Sequence, residues 1–283
     1  MAPSSAILGF DWLELSARCA ASLGGMLAAT PLRDERVLET GTIGAGGDHT
    51  LLIDQHAEQI IFRELQQLFD EGARFTALSE ERGVVDFGSA EAFVLIDPID
   101  GSLNAKRGLL AHSISIAVAD GPTMADVGFG FVHDFGSGEQ WHAIRGEGAW
   151  LNGERLAPVG SERRSADRRL EVVLVEGASP LNIAASAPAL IAGAHRVRAF
   201  GSMAISCCQV AAGRADAMVS LKSCRPVDIA ASQLVVREAG GEVAFPAASS
   251  PLGLPLADSD GFSAVVAAPT AAAMADALSF PAL

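Results

Sequence analysis

The apolar run Phe93-Val94-Leu95-Ile96 passes directly into Asp97-Pro98-Ile99-Asp100-Gly101-Ser102. A short apolar run of this kind is strand-like, so the hexapeptide stands at the end of a strand, and its two carboxylates, three residues apart, can converge. Pro98 fixes one backbone angle, and Gly101 lets the chain turn closely past a ligand while exposing peptide N–H groups. A turn with two Asp side chains and the free carbonyl of Ile99 is the hard-oxygen setting that magnesium prefers, and it can share ligands between two ions. The exposed N–H groups suit a phosphate oxygen if a helical turn begins at Ser102. Asp-Pro and Asp-Gly are also common turn formers, so the hexapeptide by itself leaves a purely structural role open.

The surrounding pattern is mixed. Residues 11–27 place Trp12, Leu15, Cys19, Leu23, Met26 and Leu27 at helical spacing, with Asp11, Glu14 and Arg18 off that stripe. After a Gly-rich connection at 41–47, residues 54–69 repeat the pattern with Ala57, Ile60, Ile61, Leu65, Leu68 and Phe69. Short apolar runs at 93–96, 113–118 and 127–132 then predict strands of an antiparallel or mixed sheet. Residues 159–169, rich in Arg, Asp, Glu and Ser, mark an exposed connection. Beyond it, strand-like 172–175, 217–219 and 264–267 are interleaved with helix-like 202–212 and 228–239, the alternation of an α/β layer, and Ala-rich 269–278 predicts a short closing helix. The chain thus divides into an N-terminal α+β half, 1–160, and a C-terminal α/β half, 161–283.

Charge and cysteines narrow the function. The chain has 20 Lys and Arg against 34 Asp and Glu, a net charge of -14, which argues against a nucleic-acid partner held by phosphate neutralisation and leaves carboxylates for divalent cations. Cys19, Cys207, Cys208 and Cys224 show no CxxC spacing and follow no signal-like segment. No apolar run approaches the ~18 residues of a membrane span. A cytoplasmic protein that neither inserts in a membrane nor binds nucleic acid is the expectation.

Further acidic elements come in a set order: Asp48 with Asp54 and Glu58, then Glu80 with Glu81, and finally Asp228 opening an apolar helix. With the hexapeptide, they make a set that resembles the inositol monophosphatase family of metal-dependent sugar phosphatases, whose motifs are a Glu-Glu pair, Asp-Pro-(Ile/Leu)-Asp-Gly-(Thr/Ser), and a late Asp followed by small residues. The likeness extends to AIRGEGAWLNG at 143–153, Gly201-Ser202, VAAGRADA at 210–217, and Asp228-Ile229-Ala230-Ala231 with Glu238-Ala239-Gly240-Gly241. It implies a layered αβαβα sandwich of mixed α/β class whose two halves meet at the metal site, and a homodimeric, lithium-sensitive phosphatase using two or three Mg2+ ions.

Residue by residue, the resemblance implies that Glu80, Asp97, the Ile99 carbonyl, Asp100 and Asp228 are metal ligands. Asp54 and Ser102 match the pair that positions the attacking water, with Glu80 sharing in catalysis. Gly101, Ser102, Gly201, Ser202 and Asp228 fall at the substrate. Thr is common in the family where Ser102 stands, and a hydroxyl is what the chemistry needs. Water activated by the metals would then attack phosphorus in line while the ions stabilise the leaving oxygen. Glu58, four residues after Asp54, either orients the site or satisfies a nearby Arg. The histidines lack metal-ligand spacing, Cys207-Cys208 reads as packing, and the Gly44 to Gly47 run lacks the strand and helix context of a dinucleotide loop.

The partner is a small phosphate ester, and the approach to Asp228 bears on which one. It reads Ser220-Leu221-Lys222-Ser223-Cys224-Arg225-Pro226-Val227, with two cations and no Glu. Together with Asn104-Ala105-Lys106-Arg107-Gly108 it looks more like the archaeal-type branch, whose members act on fructose 1,6-bisphosphate as well as inositol phosphate. Lys222 and Arg225 suit a second anionic group on the substrate, or else offset local acidic charge. Inositol 1-phosphate is the family's default substrate and a sugar bisphosphate the rival. An adenosine 3',5'-bisphosphate 3'-phosphatase and a non-catalytic phosphosugar- or metal-binding regulator are further alternatives.

Overall fold

Large and small side chains alternate along the central strands, and that alternation decides what packs on each face. The computed structural model describes residues 6–30, 39–43, 49–257 and 263–281; Asp48 and the glycine-rich residues 44–47 lie outside them. Helix α1 (Trp12–Ala29), capped by the Asp11 carboxylate accepting from Glu14 N–H at 2.9 Å, precedes an antiparallel pair, β1 (Glu39–Ile43) and β2 (His49–Leu51), and then α2 (Leu52–Asp70). The next strands are β3 (Phe75–Ser79) and β4 (Gly83–Asp100), the short α3 (Ser102–Arg107), β5 (Ser113–Ala119), β6 (Val127–Asp134), β7 (Gln140–Ile144), β8 (Gly148–Leu151) and β9 (Glu154–Arg155). β3 to β9 form one seven-stranded sheet in sequence order.

On β5, Ile114, Ile116 and Val118 join the cluster that holds Trp12, Leu15 and Leu23 of α1 and Ala57, Ile61 and Leu65 of α2. The alternate residues Ala117 and Ala119 fall in a different cluster, with the helices of the second half. The period-two pattern of a strand thus sends large residues to one helical layer and small ones to the other.

The second half comprises β10 (Leu170–Glu176), α4 (Pro180–Gly193), β11 (Ala194–Arg198), α5 (Met203–Ala211), β12 (Ala217–Ser220), α6 (Pro226–Glu238), β13 (Glu242–Ala244), β14 (Val266–Ala268) and α7 (Ala271–Ala277). Its sheet has the order β11-β10-β12-β14-β13, with the β10 pairings parallel and the β14 pairings antiparallel. α5 and α6 lie between the two sheets in one shared core, while Leu190 of α4 and Ala273 and Met274 of α7 pack on the far side. The layers are therefore α1/α2, sheet, α5/α6, sheet, α4/α7, the αβαβα sandwich expected. Every residue of α6 from Pro226 to Val236 is buried, as a helix between two sheets requires. Its close approach needs Gly130 on β6, where a Cβ would lie 2.5 Å from the Ala231 carbonyl oxygen.

Some elements differ from the sequence reading. Residues 41–43, expected in a Gly-rich connection, belong to β1, α6 starts two residues ahead of Asp228, and α4 and β11 were not anticipated. In α4, Leu181 and Ile191 are exposed, so apolar residues on the wet side blur the periodicity. Among the described residues no helix is long and apolar enough to cross a membrane.

Candidate active site

Residues three apart on an unbroken strand face opposite sides of a sheet, so Asp97 and Asp100 could not share a site if β4 were regular. It is not regular. Asp97 pairs with Ser115 and Asp100 with Ser113, so three steps on β4 oppose two on β5, and the extra residue returns Asp100 to the side that carries Asp97. The Asp97 carboxylate accepts the Ile99 N–H at 3.1 Å within this bulge. Gly101 follows with φ +86°, and a Cβ there would lie 2.9 Å from the Ala111 oxygen and 3.0 Å from the Gly201 oxygen. Only glycine lets the two halves close at this point. Helix α3 then begins at Ser102, the helical turn foreseen there.

The second half completes the cleft. Ser202 caps α5, accepting the Ile205 N–H at 3.2 Å, and its hydroxyl donates to Asp100 Oδ2 at 2.5 Å; Ala204 N–H adds a bond to the same oxygen at 2.8 Å. Asn104 of α3 donates to the carbonyls of Phe200 at 2.7 Å and Ala111 at 2.9 Å. Glu176, at the end of β10, accepts from the N–H groups of Phe200 (3.0 Å) and Gly201 (2.9 Å) and from Ser206 Oγ (2.6 Å). The turn beside the cleft is thus clamped from both halves.

These elements border a cleft of about 500 Å³. Glu80, Asp97, Ile99, Asp100 and Asp228 line it, with Gly101, Ser102, Gly201, Glu176, Lys222 and Arg225. Burial, then the charges of Glu80, Asp100 and Asp228, push the Asp97 carboxyl well above the usual carboxylate range. Burial likewise raises Asp100 to about 7, partly opposed by the Ser202 and Ala204 hydrogen bonds. Carboxylates crowded to this degree, with a carbonyl beside them, are the all-oxygen donor set that a hard divalent cation neutralises, so the residues fit magnesium. Among the described residues, no three acidic, His or Cys side chains already stand close enough to hold an ion. Arg225 lies between two of the four: its Nη2 is 2.6 Å from Glu80 Oε1 and 2.8 Å from Asp228 Oδ1.

Comparison with known proteins agrees with this geometry. The model of the inositol monophosphatase family matches residues 14–277. The chain belongs to that family. Its members are phosphatases, generally metal-dependent. A fructose-1,6-bisphosphatase/inositol-1-monophosphatase of Methanothermobacter thermautotrophicus is 35% identical over 71% of this chain and 72% of its own length. A Nus factor SuhB of Pasteurella multocida is 33% identical over 82% of this chain and 84% of its own. Among solved structures, an inositol monophosphatase-fructose 1,6 bisphosphatase superposes with TM-score 0.78 at 25% identity, over 96% of this chain and all of that one. A Thermotoga maritima IMPase gives 0.74 at 26% identity, over 96% and 97% of the two chains.

Of the residues expected at the site, two are already engaged by neighbouring groups and one is set back from the cleft lining. Ser202 does not line the cleft; it is buried behind Asp100, because its hydroxyl is occupied by the α5 cap and the carboxylate. Arg225 is not free for substrate, since Glu80 and Asp228 already engage its guanidinium. Asp54 is buried in the first turn of α2 and is not among the cleft-lining residues, as α2 packs its inner face on the first sheet. Glu58 accepts from Ser79 Oγ and, at 3.0 Å, from Arg82 Nε, so it meets an arginine rather than the cleft. Lys222 is exposed, with its stem against Gly177, and among the described residues no acidic group is bonded to its amine. Glu176 was missed by sequence reasoning, although a lone carboxylate directly after the buried run 172–175 was a usable signal.

Proposed function

We propose that the protein is a Mg2+-dependent phosphomonoesterase acting on a small sugar or polyol phosphate, with inositol 1-phosphate as the first substrate. The convergence of Glu80, Asp97, Asp100 and Asp228 on one cleft that also holds Ser102 supports the reading. In it, Glu80, Asp97, the Ile99 carbonyl, Asp100 and Asp228 hold two or three ions. When bound, these supply positive charge to the phosphoryl oxygens and acidify water. The Ser102 hydroxyl and Glu80 orient the attacking water from within the cleft, and the family resemblance alone supports pairing Asp54, set back at the start of α2, with Ser102 on that water. Gly101 to Leu103 present N–H groups of the first turn of α3, which have no acceptor inside the helix, to phosphate oxygens. The bonds from Ser202 and Ala204 favour the ionised form of Asp100 against the larger opposing effect of its burial.

A sugar bisphosphate is the second reading. It is favoured by the amine of Lys222 at the cleft wall and by relatives named as both fructose-1,6-bisphosphatase and inositol-1-monophosphatase. The test is Mg2+-dependent phosphate release from inositol 1-phosphate, fructose 1,6-bisphosphate and adenosine 3',5'-bisphosphate, with Lys222→Ala beside the parent protein. A rise in KM for the sugar bisphosphate alone in Lys222→Ala supports the second reading. More than tenfold preference for inositol 1-phosphate, untouched by Lys222→Ala, supports the first. Absence of metal-dependent release from any ester would overturn both.

A further inference from the structure

One terminal nitrogen of Arg225 binds two carboxylates, one from each half of the chain. Its Nη2 donates to Glu80 Oε1 at 2.6 Å and to Asp228 Oδ1 at 2.8 Å, and its Nε reaches Asp228 Oδ1 at 3.1 Å. Among the described residues it is the one cation bonded to the acidic groups of the cleft, and it stands between two side chains that would hold metal. Each bond occupies an oxygen that an ion would use and sets a positive charge beside it, so the guanidinium and a divalent ion compete for the same two carboxylates. The side chain is nonetheless built to leave. It is 24% exposed, whereas its backbone is fixed, the Arg225 N–H donating to Asp228 Oδ2 at 2.9 Å at the start of α6. The guanidinium can therefore swing while the helix end stays in place, and the wall it would swing along carries the unengaged Lys222 amine.

We propose that Arg225 is an exchangeable counter-cation. It holds Glu80 and Asp228 together until a divalent ion binds, yields both carboxylates to the ion, and turns its guanidinium toward an anionic group of the substrate beside Lys222. The proposal rests on reading the cleft as the metal site of a phosphatase. Its consequence is a coupling: metal binding releases an anion-binding group, so by linkage an anion must tighten metal binding. A salt bridge that merely braced the carboxylates would give the opposite result, because its loss would scatter the metal's ligands.

The test is Mn2+ binding to the full chain stripped with chelator, followed by the electron paramagnetic resonance of free Mn2+, with and without inorganic phosphate. Arg225→Gln is expected to bind Mn2+ about tenfold more tightly than the parent in the absence of phosphate, because a competing charge has gone. Phosphate is expected to tighten Mn2+ binding about fivefold in the parent and far less in the variant. Equal or weaker Mn2+ binding by a folded Arg225→Gln protein would overturn the proposal. Should that variant not fold, the parent protein crystallised with Mn2+ decides. Displacement of the guanidinium from Glu80 supports exchange, and its retention within hydrogen-bond distance refutes it. If the parent itself binds no Mn2+, the metal-site reading fails, and the exchange with it.

Discussion

Ser202 and Asp100 are 102 residues apart in the chain, and the serine hydroxyl donates to the aspartate carboxylate at 2.5 Å where the two halves of the molecule meet. That bond joins a bulge in the first sheet to the start of α5, so each half holds the other's part of the site in position.

Removing the hydroxyl should therefore do more than loosen a helix cap. Asp100 would keep its backbone donors, Ala204 at 2.8 Å and Met203 at 3.3 Å, and lose a bond that favours its ionised form. Ser202→Ala is expected to cost about 1–3 kcal/mol of stability and to shift Mg2+ binding to higher pH. Urea unfolding and Mg2+ titrations at several pH values measure the two effects.

Asp97 is buried among Glu80, Asp100 and Asp228, and its own charge is unwelcome there without a cation. Asp97→Asn should abolish turnover, while the melting temperature in chelator is unchanged or higher. The stabilisation that the parent protein gains from Mg2+ should disappear in the variant. Thermal scans with and without Mg2+ check this; an intact Mg2+ response would remove Asp97 from the ligand set.

Gly130 is where the central helix touches the first sheet. A methyl group there would meet the Ala231 carbonyl oxygen, a backbone atom that cannot rotate away. Gly130→Ala should cost about 1–3 kcal/mol or more. Denaturant midpoints at constant slope would show it.

His133 and His142 are held below the usual histidine range, mainly by burial, and the Nδ1 atom of each is buried without a hydrogen bond among the described residues. The unfolded chain protonates such groups near pH 6.5, before the folded one does, so in that window it carries more protons and stability rises with pH. Stability is expected to be full above about pH 6.5 and to fall as the pH drops through the depressed folded values. His142→Phe keeps a ring against Trp150, with which His142 stacks at 4.8 Å, and should flatten the acid limb by up to one proton. Unfolding free energies from pH 5 to 8 test the slope, and an unchanged acid limb would show that His142 does not titrate there.

The helices and strands were legible because they depend on local pattern, whereas their order in layers came from the family resemblance. The stripes of α1 and α2 and the alternation at 113–118 encode which face is buried, and a buried face needs a partner layer. Asp97 and Asp100 were legible because they sit beside an apolar run, and the ordered set from Glu80 to Asp228 pointed to one cleft through its resemblance to the inositol monophosphatase family. What the sequence could not carry was the distribution of hydrogen bonds among groups far apart in the chain. Lys222 and Arg225 read alike as cations three residues apart, yet only Arg225 reaches Glu80, 145 residues away, and is bound by it. Ser202 reads as a substrate contact through the family resemblance of Gly201-Ser202; the packing of α5 on the bulge turns its hydroxyl inward to Asp100. Glu176 carries no motif of its own, and its role exists only once the turn at Phe200 and Gly201 is brought against β10. Residue types and spacing fix which groups can bind a cation or a phosphate, while the meeting of two sheets and the helices between them decides which of those groups are already satisfied by one another and which are left for a ligand.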